Sequence, residues 1–218
     1  MGRQKVHFEA PPAEKVEQEM ASFLKWFENK SEKQAVDPAL KAGIAHFWFV
    51  IIHPFDDGNG RIGRVICDMA LARADGVADR FYSLSNQIAE ERKDYYKELE
   101  KSQRENLDIT EWLKWFLSCL DRAISNSEKM LDRIFYKSRL WSFIDQKTIN
   151  PRQRKVIERM LKDNFKGHMN TSKYAKIAKC PAHTALRDIQ DLKTRGIFLQ
   201  NPGGGRSTSY RLVDKIKS

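Results

Sequence analysis

His53-Pro-Phe-Asp-Asp-Gly-Asn-Gly-Arg-Ile-Gly-Arg64 places a histidine, two adjacent carboxylates, two glycines around an asparagine and two arginines within twelve residues. Core packing does not require that set of side chains. Phosphate chemistry does. Gly58 and Gly60 flank Asn59 just before a predicted helix. Glycines let successive N–H groups turn toward one point, and a helix start adds its positive end. The same tripeptide is also an ordinary turn. Arg61 and Arg64, three apart, share a helix face, and guanidinium forks suit phosphate oxygens. Either could instead pair with Asp56 or Asp57 on the surface. Asp57 suits a lone carboxylate ligand of Mg²⁺ beside nucleotide phosphates, and equally a helix cap. His53, at the end of an apolar helix, is a structural histidine or a general base. Phe55 is expected to pack inward and pin the loop.

The elements that must position this loop are helical. Val16, Met20, Phe23, Leu24 and Phe27 fall at helical spacing over Glu14 to Trp26. Asp37–Pro38 opens a second helix that runs to His53, where Pro54 stops it. Being apolar nearly all round, it should lie at the domain centre. A third helix should start at Asn59–Gly60 and end at Gly76. Further helices are expected near 86–103, 109–124 and 125–144. Residues 3–12 read as an extended segment ended by Pro11 and Pro12.

After residue 145 the chain changes character. Residues 1–145 carry 22 Lys+Arg against 24 Asp+Glu, whereas 146–218 carry 17 against 5, so the whole net charge of +10 sits in the last third. We expect a domain boundary there. Asn150–Pro151, Asn170/Thr171 and Pro181 open three helices, the first running to about Asp163 and the last to Gly196. Two short β-rich runs around a Gly-rich turn follow. That order is similar to a winged helix-turn-helix domain. Its recognition helix, 181–195, would present His183, Thr184, Arg187 and Gln190 outward and pack Leu186, Ile189 and Leu192 inward. Arg206 would sit on the wing. The charge suits DNA, contacted through 150–218, and Asp188 and Asp191 on the helix count against it. Protein docking is the other use of such a module.

No apolar run is long enough to span a bilayer. Cys67, Cys119 and Cys180 are widely spaced and form no CxxC, as in a reducing cytosol. We expect a cytoplasmic protein with no membrane role.

HPFDDGNGRIGR resembles the Fic-domain motif HxFx(D/E)GNGRxxR at every specified position. The resemblance extends over roughly residues 4–145, including the Arg92-Lys-Asp-Tyr-Tyr-Lys-Glu-Leu99 stretch. It implies a mainly α fold: a Fic-type helical bundle over 1–145 with a short hairpin-like flap at 3–12, and the winged helix over 146–218. It implies transfer of AMP from ATP to a Ser, Thr or Tyr hydroxyl of a target protein, and to the protein itself. His53 would be the base and Asp57 the Mg²⁺ ligand. Gly58, Asn59, Gly60 and Arg61 would hold the phosphates, and Arg64 the γ-phosphate. Tyr95 and Tyr96 would line the nucleotide pocket, where Gln103 replaces a family Asn. Lys5, Val6, His7 and Phe8 would dock the target segment by strand pairing.

The family's inhibitory [S/T]xxxE[G/N] helix has no match. The alternatives are an N-terminal truncation, a separate inhibitory protein or no inhibition, and we expect constitutive auto-modification. Helical aromatics leave a homodimer open. So do two other functions: a nucleotide-sensing DNA-binding regulator without turnover, and transfer of UMP or GMP.

Overall fold

The computed structural model describes residues 11–29, 36–76, 80–104, 108–205 and 208–214. The flap residues Lys5, Val6, His7 and Phe8, and the wing residue Arg206, lie outside them. The chain forms two compact units, Met1–Met130 and Leu131–Ser218. The division falls within a long helix; the boundary expected from charge, 145/146, lies at that helix's end.

In the first unit α1 (Ala13–Glu28) precedes α2 (Pro38–Ile52). Asp37 caps α2, its carboxylate accepting from the N–H groups of Ala39 and Leu40 at 2.9 and 3.2 Å, with Pro38 at the first position. Ala42, Ala45, His46, Phe47, Phe49 and Ile52 are all buried, so α2 is the central helix its composition predicted. α3 (Asn59–Asp75) packs along it and ends at Gly76, whose φ of 66° only glycine adopts without strain. Phe23, Phe27, Trp112 and Phe116 complete this core. The Trp112 indole N–H donates to the Gly43 carbonyl at 3.0 Å in the interior. A Cβ at Gly43 would come within 2.8 Å of the Phe116 ring, which explains that glycine.

Two expectations change. The predicted 86–103 helix is two helices, α4 (Leu84–Glu90) and α5 (Arg92–Arg104). Glu91 separates them, and its carboxylate takes two hydrogen bonds from Arg122, at 2.6 and 2.5 Å, and one from Gln87. The predicted pair 109–124 and 125–144 is one helix, α6 (Thr110–Asp145). Ser125-Asn126-Ser127 lies at the expected junction, where no Gly or Pro enforces a break. Asn126 instead donates to the Gln87 side chain at 3.0 Å.

The second unit holds the end of α6, then α7 (Pro151–Met160), α8 (Thr171–Ala178), α9 (Ala182–Thr194) and the strands β1 (Phe198–Gln200) and β2 (Tyr210–Leu212). α7 stops short of Asp163. Asn150 and Gln153 form a reciprocal capping box, and Asn170 caps α8. β1 and β2 pair antiparallel, Phe198 opposite Leu212, and Met169 bridges to Tyr210. Leu140, Ile144, Ile157, Tyr174, Ile189 and Phe198 are buried together. Among the described residues no helix is long and apolar enough to cross a membrane.

Candidate active site

His53 ends α2 in the left-handed region, φ 51° and ψ 53°, with its N–H donating to Phe49 O at 3.1 Å. The following proline disfavours continued helix, and this strained turn aims the imidazole out of the helix. Its Nδ1 lies 3.3 Å from the main-chain oxygen of Val50. A carbonyl oxygen only accepts, so Nδ1 carries the proton of the neutral ring. Nε2 keeps its lone pair and faces outward on an exposed side chain.

The loop is held by Asn59. Its side chain is 3% exposed, accepts the Phe55 N–H at 3.1 Å and donates to the Phe55 carbonyl. Two hydrogen bonds from one amide staple the loop across four residues. The expectation for Phe55 is thereby corrected. Its ring is 49% exposed and only flanks Phe49, at 6.4 Å. The Phe55 backbone is what is pinned.

Gly58 precedes α3 with φ 90°, a glycine conformation, and no side chain caps the helix. The N–H groups of the first turn therefore point at the loop mouth without an intrahelical acceptor. Asp57 is not that cap: Oδ1 accepts only the adjacent Gly58 N–H, at 2.6 Å. Its Oδ2 accepts from Arg61 Nη2 at 2.8 Å, with the two side chains 90% and 70% exposed. Such a pair contributes little and opens readily. Arg64 is half-buried beside Gly60 and has no carboxylate partner among the described residues. The arginines thus oppose the helix dipole, and an anion at the mouth would resolve the conflict.

The two tyrosines of α5 separate. Tyr95 is 3% exposed; its hydroxyl lies 3.0 Å from His46 Nε2 in the core. Burial pushes its pKa up. Tyr96 is 55% exposed and, with Val50, His53, Lys97, Leu99 and Gln103, lines a cleft of about 580 Å³. The geometry therefore puts Tyr96 on the cleft and Tyr95 under it. His46 was not anticipated; a polar residue inside an otherwise apolar helix was its only sequence signal.

In the second unit His183, Arg187 and Gln190 are exposed on α9 and Thr184 is half-buried. Two expectations fail there. Leu186 is 54% exposed. Asp188 is 4% exposed, inside the unit, where it accepts from Asn150, from Nε and Nη2 of Arg152 at 2.9 and 3.1 Å, and from the Tyr174 hydroxyl. The helix turns about 100° per residue, and the inward stripe is Ala185, Asp188, Ile189 and Leu192. Asp188 therefore does not weaken the positive charge of the outer face.

A loop with an outward histidine, a stapled turn and an uncapped helix start flanked by two arginines now has a counterpart. Residues 1–71 match the model of the Fic/DOC family. The chain is also similar to Protein adenylyltransferase Fic of Nematostella vectensis, 34% identical over 117 residues, which are 52% of this chain and 25% of that protein. A Probable protein adenylyltransferase of Aquifex aeolicus is 36% identical over 64 residues, 29% of this chain and 19% of that one. The Uridine 5'-monophosphate transferase of Xanthomonas campestris is 40% identical over 67 residues, 29% of this chain and 12% of that one. The chain thus spans a quarter or less of the length of these relatives. A crystal structure of a Fic family protein from Desulfovibrio desulfuricans G20 superimposes with a TM-score of 0.51 and 23% identity, covering all of this chain and 60% of that one. That likeness supports the mainly helical fold.

Proposed function

We propose that the protein is a protein adenylyltransferase that moves AMP from ATP onto a Ser, Thr or Tyr hydroxyl of a target protein and of itself. The observation that carries this reading is the exposed His53 ring, held at Nδ1 by the Val50 carbonyl so that Nε2 is left free, six residues before an uncapped, arginine-flanked helix start. In the proposed reaction Nε2 takes the target hydroxyl proton. The oxygen forms a bond to the α-phosphorus, and the bond from that phosphorus to the bridging oxygen breaks. Pyrophosphate leaves. The first-turn N–H groups after Gly58, with Gly60 and Arg61, hold the phosphates; Arg64 holds the terminal one. Most of the acceleration is positioning and electrostatics.

The reading includes Mg²⁺. Among the described residues no three His, Cys, Asp or Glu side chains gather into a metal cage. Asp57, a lone and 90% exposed carboxylate, has the donor chemistry of a site where phosphates and water supply the other ligands. Bound there, the ion would neutralise phosphate charge. The base of the nucleotide would occupy the Tyr96 cleft, where Gln103 can donate and accept at once. Likeness to a uridine 5'-monophosphate transferase favours UMP as the second reading. The flap, residues 3–12, would pair with the target segment.

We read residues 146–218 as a winged helix-turn-helix that binds DNA through His183, Thr184, Arg187 and Arg206. Support comes from the α7–α8–α9–hairpin order, the +12 charge and the inward position of Asp188. Fluorescence anisotropy on duplex DNA across salt tests it. A steep fall in affinity with salt is expected; no affinity at low salt removes DNA.

The catalytic test uses ATP labelled at the α- or the γ-phosphate. Label retained only from the α-position is expected. Label from the γ-position would mean phosphoryl transfer. Bound nucleotide with no label in either case would favour a nucleotide-sensing regulator.

A further inference from the structure

His46 is a buried titratable side chain with no part in the reaction above. It stands two turns before His53 on α2 and is 0% exposed. Three contacts fix it. Its Nε2 lies 3.0 Å from the Tyr95 hydroxyl. Its ring stacks on Trp112, with centroids 5.6 Å apart and planes 11° from parallel. Its third side faces Gly63 of α3: a Cβ there would lie 3.4 Å from both Nδ1 and Cε1, and 3.1 Å from Val50 Cγ2. Nδ1 is buried, makes no hydrogen bond of standard geometry, and interacts with the Gly63 backbone.

An apolar ring of the same size would avoid burying a weakly satisfied nitrogen. An apolar ring would also lose the bond to Tyr95, which holds the imidazole at one rotation. Gly63 lies between Arg61 and Arg64, at a motif position where any residue is allowed. Here α3 lies close to α2: a Cβ at this position would press on the Val50 side chain and rest at contact distance on the His46 ring. A helix is stiff on the scale of one turn. A shift at Gly63 therefore carries Arg61, Arg64 and the first-turn N–H groups with it.

We infer that His46 is a positioning residue: its imidazole, clamped by Tyr95 and Trp112, is the surface on which Gly63 seats α3, and that seat sets where the phosphate-facing groups stand relative to His53. The inference rests on the nucleotide-transfer reading of the loop.

The test uses the full chain with His46→Phe and Gly63→Ala. The readouts are helix content by circular dichroism, the ¹⁵N–¹H resonances of Gly58 and Gly60, ATP affinity, and single-turnover transfer at saturating ATP. Expected are unchanged helix content, displaced resonances for both glycines, and a transfer rate that falls more than affinity does. A displacement near 1 Å would lower the rate about a hundredfold. Unmoved glycine resonances with a wild-type rate in His46→Phe would overturn the inference. Should Gly63→Ala fail to fold, His46→Phe keeps the ring volume and decides alone. A wild-type protein that transfers no label would remove the transfer reading only; the glycine resonances would still decide whether His46 seats α3.

Discussion

The Nδ1 atom of His53 and the carbonyl oxygen of Val50, 3.3 Å apart, fix which nitrogen of the histidine is free. Because His53 leaves α2 in a left-handed turn, the free nitrogen faces away from the helix that supplies the bond. Replacing His53 with Ala should lower transfer of α-labelled AMP by about two to four orders of magnitude. ATP affinity, measured by calorimetry, should fall far less than the rate, since His53 holds no phosphate and only lines one side of the cleft.

Asn59 acts through its side chain on the loop. Asn59→Ala leaves the Phe55 N–H and carbonyl without their partner. The expected cost is about 1–3 kcal/mol of stability, read as a lower denaturant midpoint with unchanged slope. Asn59→Asp keeps the acceptor for the Phe55 N–H but sets a carboxylate against the Phe55 carbonyl, and should lose at least as much.

Asp57 and Arg61 separate stability from function. Their ion pair is exposed, so Asp57→Asn should lower the thermal midpoint by no more than about 4 °C, consistent with roughly 0–1 kcal/mol. In the same variant the Mg²⁺ dependence of ATP binding should be largely lost. A large drop in stability with intact Mg²⁺ dependence would show that the carboxylate serves the fold.

His46 predicts an acid-side weakness. Burial lowers its pKa from 6.5 to about 4. The unfolded chain therefore binds a proton that the folded chain refuses between those values. Stability is fully present above pH 6.5 and falls as pH drops toward 4, by up to about 3 kcal/mol. Urea unfolding across this window should show the slope, and His46→Phe should flatten it. Glu91, held below the usual carboxylate range chiefly by Arg122, adds its own loss only at lower pH.

Asp188 anchors three helices of the second unit. Asp188→Ala removes the acceptor for Asn150, Arg152 and Tyr174. Since Arg152 is partly exposed and can turn to water, a cost of about 2 kcal/mol is expected rather than the full penalty of a buried pair. Thermal melting checks it.

The sequence exposed what depends on spacing and local backbone preference. Asp37–Pro38, Pro54 and Gly76 marked α2 and α3 because caps, proline and left-handed glycine act within a turn. The grouping of His53 with Asp57, Arg61 and Arg64 was legible for the same reason. What escaped was tertiary. Nothing local tells that Asn59 turns its amide back to Phe55, or that Tyr95 meets His46 while Tyr96 meets the cleft. Leu186 and Asp188 exchanged their expected sides because a short amphipathic helix fixes its inward stripe only once α7 and α8 are packed against it. Asp188 entered the interior because Arg152, Asn150 and Tyr174 were there to receive it.

Four carboxylates of the second unit pair with its guanidinium groups, most of them at the surface. Asp188 holds Arg152, Asp191 holds Arg195, Asp214 holds Arg211 and Asp163 holds Arg133. Lys155, Lys162, Lys166, Lys176 and Lys179 have no carboxylate partner among the described residues. The exposed cations without a carboxylate partner thus include many ammonium groups: compact, strongly hydrated point charges without the planar fork that reads a base edge or a bidentate oxyanion. Charges of that kind attract by field and yield to salt. If the second unit binds DNA as proposed, such charges would let the duplex slide, and discrimination would fall to side chains such as Arg187.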